Sequence, residues 1–163
     1  MDPETRYLNP SYEEVHEGCR VMAKSVLTVC PNVGLIIGVA RGGLIPAVIM
    51  SHMLDVPMLA IDYSSKEGRG DDKNHNNTLP NLPRDGRPFL LVDDICDTGR
   101  TLHEIMAHYS KEGHVVYIAT LFYKTHEKPI TQPDIVWRTI PQTSGWVNFP
   151  FEGELPESEI DSE

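Results

Sequence analysis

The feature that most restricts how this chain can fold is the run FLLVDDICDTGRT, residues 89–101. Its opening stretch, Phe89 to Asp94, is too short for a buried helix and reads as a continuous apolar strand ending in two carboxylates. Asp93 and Asp94 close that stretch, Gly99 makes a turn, and a helical pattern follows over residues 101–111 until Gly113 ends it. A strand that passes through a tight turn into a helix is half of a βαβ unit. Such units build parallel sheets with helices laid against them.

The rest of the chain repeats the alternation. Ser11 followed by Glu14 is a capping-box pattern, after which Val15, Cys19, Met22, Val26 and Val29 recur at helical spacing until Pro31. The branched run 35–39 predicts a strand, 40–43 a loop, and 44–54 a helix that tolerates Pro46 in its first turn. Shorter strands are expected at 57–61, 114–121 and 135–137. The expected fold class is α/β: a doubly wound, mainly parallel sheet flanked by helices on both faces, in one domain over residues 1–152. Residues 63–87 are polar and aperiodic, and so long a loop in a compact domain predicts a mobile lid, with Lys66, Arg69 and Lys73 solvated. Residues 153–163 are crowded with carboxylates and read as a disordered, solvated tail.

Composition narrows the function classes. No run of about 18 apolar residues occurs, and the opening MDPETRYLNP has neither a basic patch nor a hydrophobic run, so no membrane span or export signal is expected. A cytoplasmic location follows. The three cysteines, Cys19, Cys30 and Cys96, lack metal-ligand spacing, fall in segments read as helix or loop, and are expected to be free thiols. A formal charge of −10 argues against nucleic acid as a partner, because that binding mode needs a broad basic surface. Any phosphate must therefore be held by local donors.

Ligands of open α/β sheets gather beyond the carboxyl ends of the strands, which directs attention to the residues after Val92. Gly99 lets backbone approach a phosphate, Thr98 and Thr101 add hydroxyl donors, and the following helix presents its free N–H groups. Asp93 and Asp94 can accept hydrogen bonds from sugar hydroxyls or hold magnesium. The loop ARGGL, residues 40–44, follows another buried strand and reaches the same edge of the sheet. There Arg41 can meet an anion, and Gly42 and Gly43 can expose their amides.

The run at 89–101 resembles the phosphoribosyl-pyrophosphate signature of the type I phosphoribosyltransferases: hydrophobic strand, acidic pair, two variable residues, then Asp-Thr-Gly-x-Thr. Three further pieces resemble that family's motifs in family order: ARGGL, the lysine at 124, and WVNFPFE at 146–152. The resemblance runs from about Gly34 to Glu152, leaves the first helix and the tail outside, and is closest to the xanthine-guanine and hypoxanthine-guanine enzymes. It implies the type I fold with a small C-terminal hood and a lid. The implied activity is a purine-salvage transferase that uses Mg2+ to join phosphoribosyl pyrophosphate to guanine, xanthine or hypoxanthine.

By the same resemblance, Asp97 is the acid/base near purine nitrogen 7, and Asp93 and Asp94 contact the ribose hydroxyls. Thr98, Gly99, Arg100 and Thr101 cradle the 5′-phosphate, while Arg41 and Gly42 meet the pyrophosphate. Asp94 and Glu152 are the implied metal ligands, and Tyr63 and Ser64 the lid residues that touch the leaving group. Lys124, following a strand expected to end at Leu121, reaches the exocyclic oxygen of the base; Trp146 stacks on the ring and Val147 offers backbone groups to its edge. Relatives are commonly dimers or tetramers, so a homo-oligomer is implied. Relatives often show serine before tyrosine in the lid where this chain reads YSS, which leaves open the side chain that points inward, and Phe151 stands where tryptophan is common. Cys96 has no basic partner in view and reads as a small buried thiol. Two other readings stay open: a nucleotide-sensing regulator with this fold, and a transferase for another base, of which Lys124 and Trp146 disfavour adenine.

Overall fold

A computed structural model describes residues 8–65 and 77–153. In chain order the elements are α1 (Tyr12–Val29), β1 (Leu35–Val39), α2 (Leu44–Leu54), β2 (Met58–Ile61), β3 (Phe89–Cys96), α3 (Arg100–Lys111), β4 (Val116–Thr125) and β5 (Ile135–Pro141). The strands form one sheet ordered β2-β1-β3-β4-β5, and every neighbouring pair is parallel. Lys66, Arg69 and Lys73, and the tail beyond residue 153, lie outside the described residues.

The strands are apolar on both sides because helices cover both faces. Ile36, Leu90 and Val92 share a core with Cys19 and Met22 of α1 and Met50 of α2. Their strand neighbours Ile37 and Leu91 join Ile118 and the α3 residues Leu102, Ile105 and Tyr109 in a second core. The topology dictates this division. From β1 the chain moves outward through α2 to β2, whereas from β3 it moves the opposite way through α3 to β4, and right-handed crossovers then set α2 and α3 on opposite faces. The reversal falls between β1 and β3, where the strand order leaves a crevice at the carboxyl ends.

Several boundaries differ from the sequence reading. β3 continues past the aspartates, since Ile95 and Cys96 still pair with Phe122 and Tyr123, and Cys96 therefore lies in a strand. β4 begins at Val116, runs beyond Leu121 and includes Lys124, while β5 reaches Pro141. In each case a neighbouring strand keeps the ladder going after the apolar pattern has stopped. α3 begins at Arg100 and β2 at Met58, one residue away from the expected limits. The capping box at Ser11 is present, with Ser11 Oγ accepting from Glu14 N at 3.1 Å and Glu14 Oε2 accepting from Ser11 N at 2.9 Å. Among the described residues no helix is long and apolar enough to cross a membrane.

Candidate active site

Asp93 and Asp94 lie within β3 at the crevice. Asp93 Oδ1 accepts the amide of Asp94 at 2.9 Å, and Asp94 Oδ1 accepts the amide of Ile95 at 2.8 Å. Burial raises the proton affinity of the Asp93 carboxyl well above the ordinary range, and the neighbouring charge of Asp94 adds to it. Burial also raises Asp94, opposed by its hydrogen bonds and reinforced by the charge of Glu152. Glu152, near the end of the described chain, is itself tied down, its Oε2 accepting from Phe149 N at 3.2 Å. Two carboxylates that strain against each other's charge are a donor set suited to a hard divalent cation, which would complete its shell with water and phosphate oxygens.

The two glycine loops meet this pair from either side. The Ala40–Arg41 peptide is cis, and Gly42 packs so close to the Asp94 carboxylate that a Cβ would overlap it. Gly43 is equally confined, its missing Cβ falling 2.5 Å from Val92 O and 2.9 Å from Asp93 Cα. A cleft of about 820 Å³ opens over this loop, lined by Arg41, Gly42, Asp93, Thr101 and Glu152 among others. On the other side, Asp97, Thr98, Gly99, Arg100 and Thr101 line a cleft of about 440 Å³ with Ser65. Gly99 caps α3 with φ 81°, a left-handed conformation that glycine adopts without strain, and the helix N-terminus faces the cleft. Asp93 and Thr101 border both clefts, so a ligand spanning them would pass over the acidic pair.

Tyr63 and Ser64 both line the larger cleft. Tyr63 OH donates to Glu104 Oε2 of α3 at 2.9 Å, while the Ser64 backbone exchanges hydrogen bonds with the Asn77 side chain. Ser65, which the sequence did not single out, is the buried member of this trio and lines the smaller cleft.

Lys124, Asp97 and Trp146 come together although they are far apart in sequence. Lys124 is only 8% exposed, unlike an ordinary surface lysine, because β4 carries it inward. Its Nζ lies 3.9 Å from Asp97 Oδ2 and 5.8 Å from the centre of the Trp146 ring, whose residue is 42% exposed. Val147 is buried and bridges Leu8 in parallel fashion; Leu8 bonds to Trp146 O and Asn148 N, which directs the N–H and C=O of Val147 the other way. Phe151 stacks on Phe149 with ring centres 5.0 Å apart, bracing this segment against the first core.

His126 was not visible as a site residue from sequence. Its Nε2 lies 2.7 Å from Asp97 Oδ1. No spacing rule links residues 97 and 126; only the β3–β4 pairing brings them together. Cys96 is buried, and burial together with the charges of Asp93 and Asp97 pushes its thiol up to about 12, which leaves it inert.

A family model for the phosphoribosyl transferase domain matches residues 11–157 and so takes in α1, which the sequence resemblance had left outside. The solved purine phosphoribosyltransferase of Pyrococcus horikoshii Ot3 is 31% identical, with a TM-score of 0.73 over 92% of this chain and 96% of that one. The xanthine-guanine phosphoribosyltransferase of Idiomarina loihiensis is 31% identical over 147 residues, 89% of this chain and 86% of the relative. That of Desulfotalea psychrophila is 28% identical over 150 residues, covering 88% and 85%. With this match over nearly the whole described chain, and with the acidic pair, the Gly99 turn and the 40–43 glycine loop on one edge of the sheet, the chain belongs to the phosphoribosyl transferase domain family.

Proposed function

We propose that the protein transfers the phosphoribosyl group of phosphoribosyl pyrophosphate to a 6-oxopurine, giving a nucleoside 5′-monophosphate and pyrophosphate. The observation that carries the choice of base is Lys124, held between the Asp97 carboxylate and the Trp146 ring. An ammonium group has only donors, so it recognises an exocyclic oxygen and rejects an exocyclic amine. The half-exposed indole offers a stacking face, and the outward N–H and C=O of Val147 suit the edge of a purine.

In this reading the 5′-phosphate sits on the Thr98–Thr101 turn at the N-terminus of α3, and Asp93 and Asp94 accept from the ribose hydroxyls. The diphosphate lies along Arg41 and the amides of the 40–43 loop. Asp94 and Glu152 would hold a magnesium ion, which neutralises charge on the departing pyrophosphate when bound. Purine nitrogen 9 forms its bond to the anomeric carbon as the bond to the pyrophosphate oxygen breaks and that oxygen leaves with the electron pair. Asp97 receives or shares the purine proton at nitrogen 7, and its charge favours the cationic sugar that develops. A cytosolic site of action goes with these substrates. Ile45, Val48 and Met53, exposed along α2, support a self-associating chain, which sedimentation would test.

The deciding experiment is pyrophosphate release with guanine, xanthine, hypoxanthine and adenine in turn, with and without magnesium. The three oxopurines, or some of them, turn over only with the metal and adenine does not; adenine as the best substrate would overturn the assignment. Asp97→Ala should lower kcat by roughly 10²-fold or more while sugar-phosphate binding changes little, and parental turnover in that variant would remove Asp97 from the mechanism.

A further inference from the structure

We propose that His126 is a positioning residue for Asp97: its imidazole occupies one carboxylate oxygen and so fixes the other for the purine. The inference rests on the assignment of Asp97 above and adds to it a residue that neither the motif nor the family match supplies.

Left to itself Asp97 would be a poor catalytic group. Its side chain is 53% exposed, on the turn between β3 and α3, where a short carboxylate is free to change rotamer. Two donors constrain it, and both come from the carboxyl end of β4. His126 Nε2 stands 2.7 Å from Oδ1 and Lys124 Nζ stands 3.9 Å from Oδ2, with side chains only 14% and 10% exposed. An ionised carboxylate only accepts, so Nε2 carries the proton of this contact in either charge state of the ring. The distance is that of a charge-assisted bond. Oδ1 is thereby taken, and Oδ2 is the oxygen turned toward Lys124 and, beyond it, the Trp146 ring.

His126 is also fixed relative to the phosphate turn. The connection 126–134 joins two parallel strands without a helix, because β5 enters alongside Ala119 and the chain has little distance to return. On the way it crosses the turn after β3. Ile130 N donates to Thr98 O at 3.1 Å, and Thr131 packs so tightly on Gly99 that a Cβ there would lie 2.6 Å from Thr131 O. One short segment thus holds both the phosphate turn and the brace on Asp97, so the carboxylate is registered against the sugar phosphate. A merely structural, surface ion pair would add little to stability and nothing to turnover.

The test uses the full chain and its best 6-oxopurine, with His126→Ala and His126→Gln made in the parent and in Asp97→Asn. Loss of the brace is expected to lower kcat by ~10-fold or more through misplacement of Asp97, while the KM for phosphoribosyl pyrophosphate stays within about twofold. The Gln amide nitrogen matches the reach of imidazole Nε2, so His126→Gln should recover most of the loss. In Asp97→Asn, His126→Ala should cost nothing further, because both changes act through one carboxylate. Unchanged kcat in both His126 variants would overturn the proposal. So would the same loss from His126→Ala in both backgrounds, or a Gln variant no better than Ala with melting temperature falling in step. If His126→Ala does not fold, His126→Leu, which keeps the bulk and removes the donor, takes its place in the two backgrounds, and equal kcat ratios there mean no coupling. Parental kcat in Asp97→Asn would instead remove the underlying role of Asp97, a result distinct from an active-site Asp97 that is indifferent to His126.

Discussion

Gly42→Ala separates a packing requirement of the site from a requirement of the fold. The added methyl overlaps the Asp94 carboxylate: even Oδ1, the farther oxygen, would lie 2.9 Å from it, where non-bonded heavy atoms rest at ~3.5 Å or more. Neither side can yield cheaply. Asp94 is 8% exposed and tied to Ile95 N at 2.8 Å, while Gly43 already abuts Val92 O and Asp93 Cα behind the loop. The loop or the carboxylate must therefore move by roughly 1 Å, at an overpacking cost of about 1–3 kcal/mol. A displacement of that size at the groups proposed to hold the sugar diphosphate lowers kcat/KM on the order of 10²-fold. Steady-state pyrophosphate release, titrated in each substrate separately, should show that loss in kcat/KM for phosphoribosyl pyrophosphate with the purine KM within about threefold. Gly113→Ala is the comparison: φ is 89° at the end of α3 and nothing lies within 4 Å of the new Cβ. That change should cost about 1 kcal/mol of stability and leave activity per folded molecule intact. Parental kcat/KM in Gly42→Ala, or equal damage to both substrates, would refute the reasoning.

Asp93→Asn should raise the melting temperature measured without magnesium while abolishing tight sugar-phosphate binding. Burial lifts the Asp93 carboxyl in the folded state above its unfolded value, so the folded state binds the proton more tightly and stability falls as pH rises through that interval. The gain from Asn is therefore greatest at neutral and alkaline pH and vanishes in acid; a gain that grows toward acid would contradict the burial argument. The thiols are pushed up to about 12, 11 and 12 at Cys19, Cys30 and Cys96, chiefly by burial. Iodoacetamide at neutral pH should leave the native chain active and unlabelled until denaturant is added, and rapid inactivation with Cys96 labelled would show the site to be open.

The sheet was legible because its strands are short apolar runs and its helices carry caps and a period, signals that survive in sequence. LIIGV and FLLV mark β1 and β3 because both faces are covered, and Ser11 with Glu14 marks the start of α1. The ends of β3, β4 and β5 were not legible: Ile95 and Cys96 follow two aspartates that read as the end of their strand, and Lys124 and Arg138 are polar residues kept in strands by pairing with their neighbours. Lys124 illustrates the consequence. Taken alone, beyond its strand, it is indistinguishable from a surface lysine and only the family resemblance marks it, whereas the extra length of β4 buries it beside Asp97. His126 was hidden for the same reason, and the one-residue bridge that leaves the Val147 backbone facing outward depends on Leu8, far away in sequence.

An acidic chain of net charge −10 admits an anionic sugar diphosphate because charge is sorted by place. Burial raises the proton affinity of both Asp93 and Asp94, so negative charge there is costly without a cation or a donor to meet it. The donors stand on either side: the Gly99 turn with the N-terminus of α3, and the 40–43 loop with Arg41. The same carboxylates are costly to bury, and nothing in the two apolar cores requires them. Their position between the cleft at the Gly99 turn and the larger one suits the proposed ligand, with sugar hydroxyls in the middle and phosphate at each end.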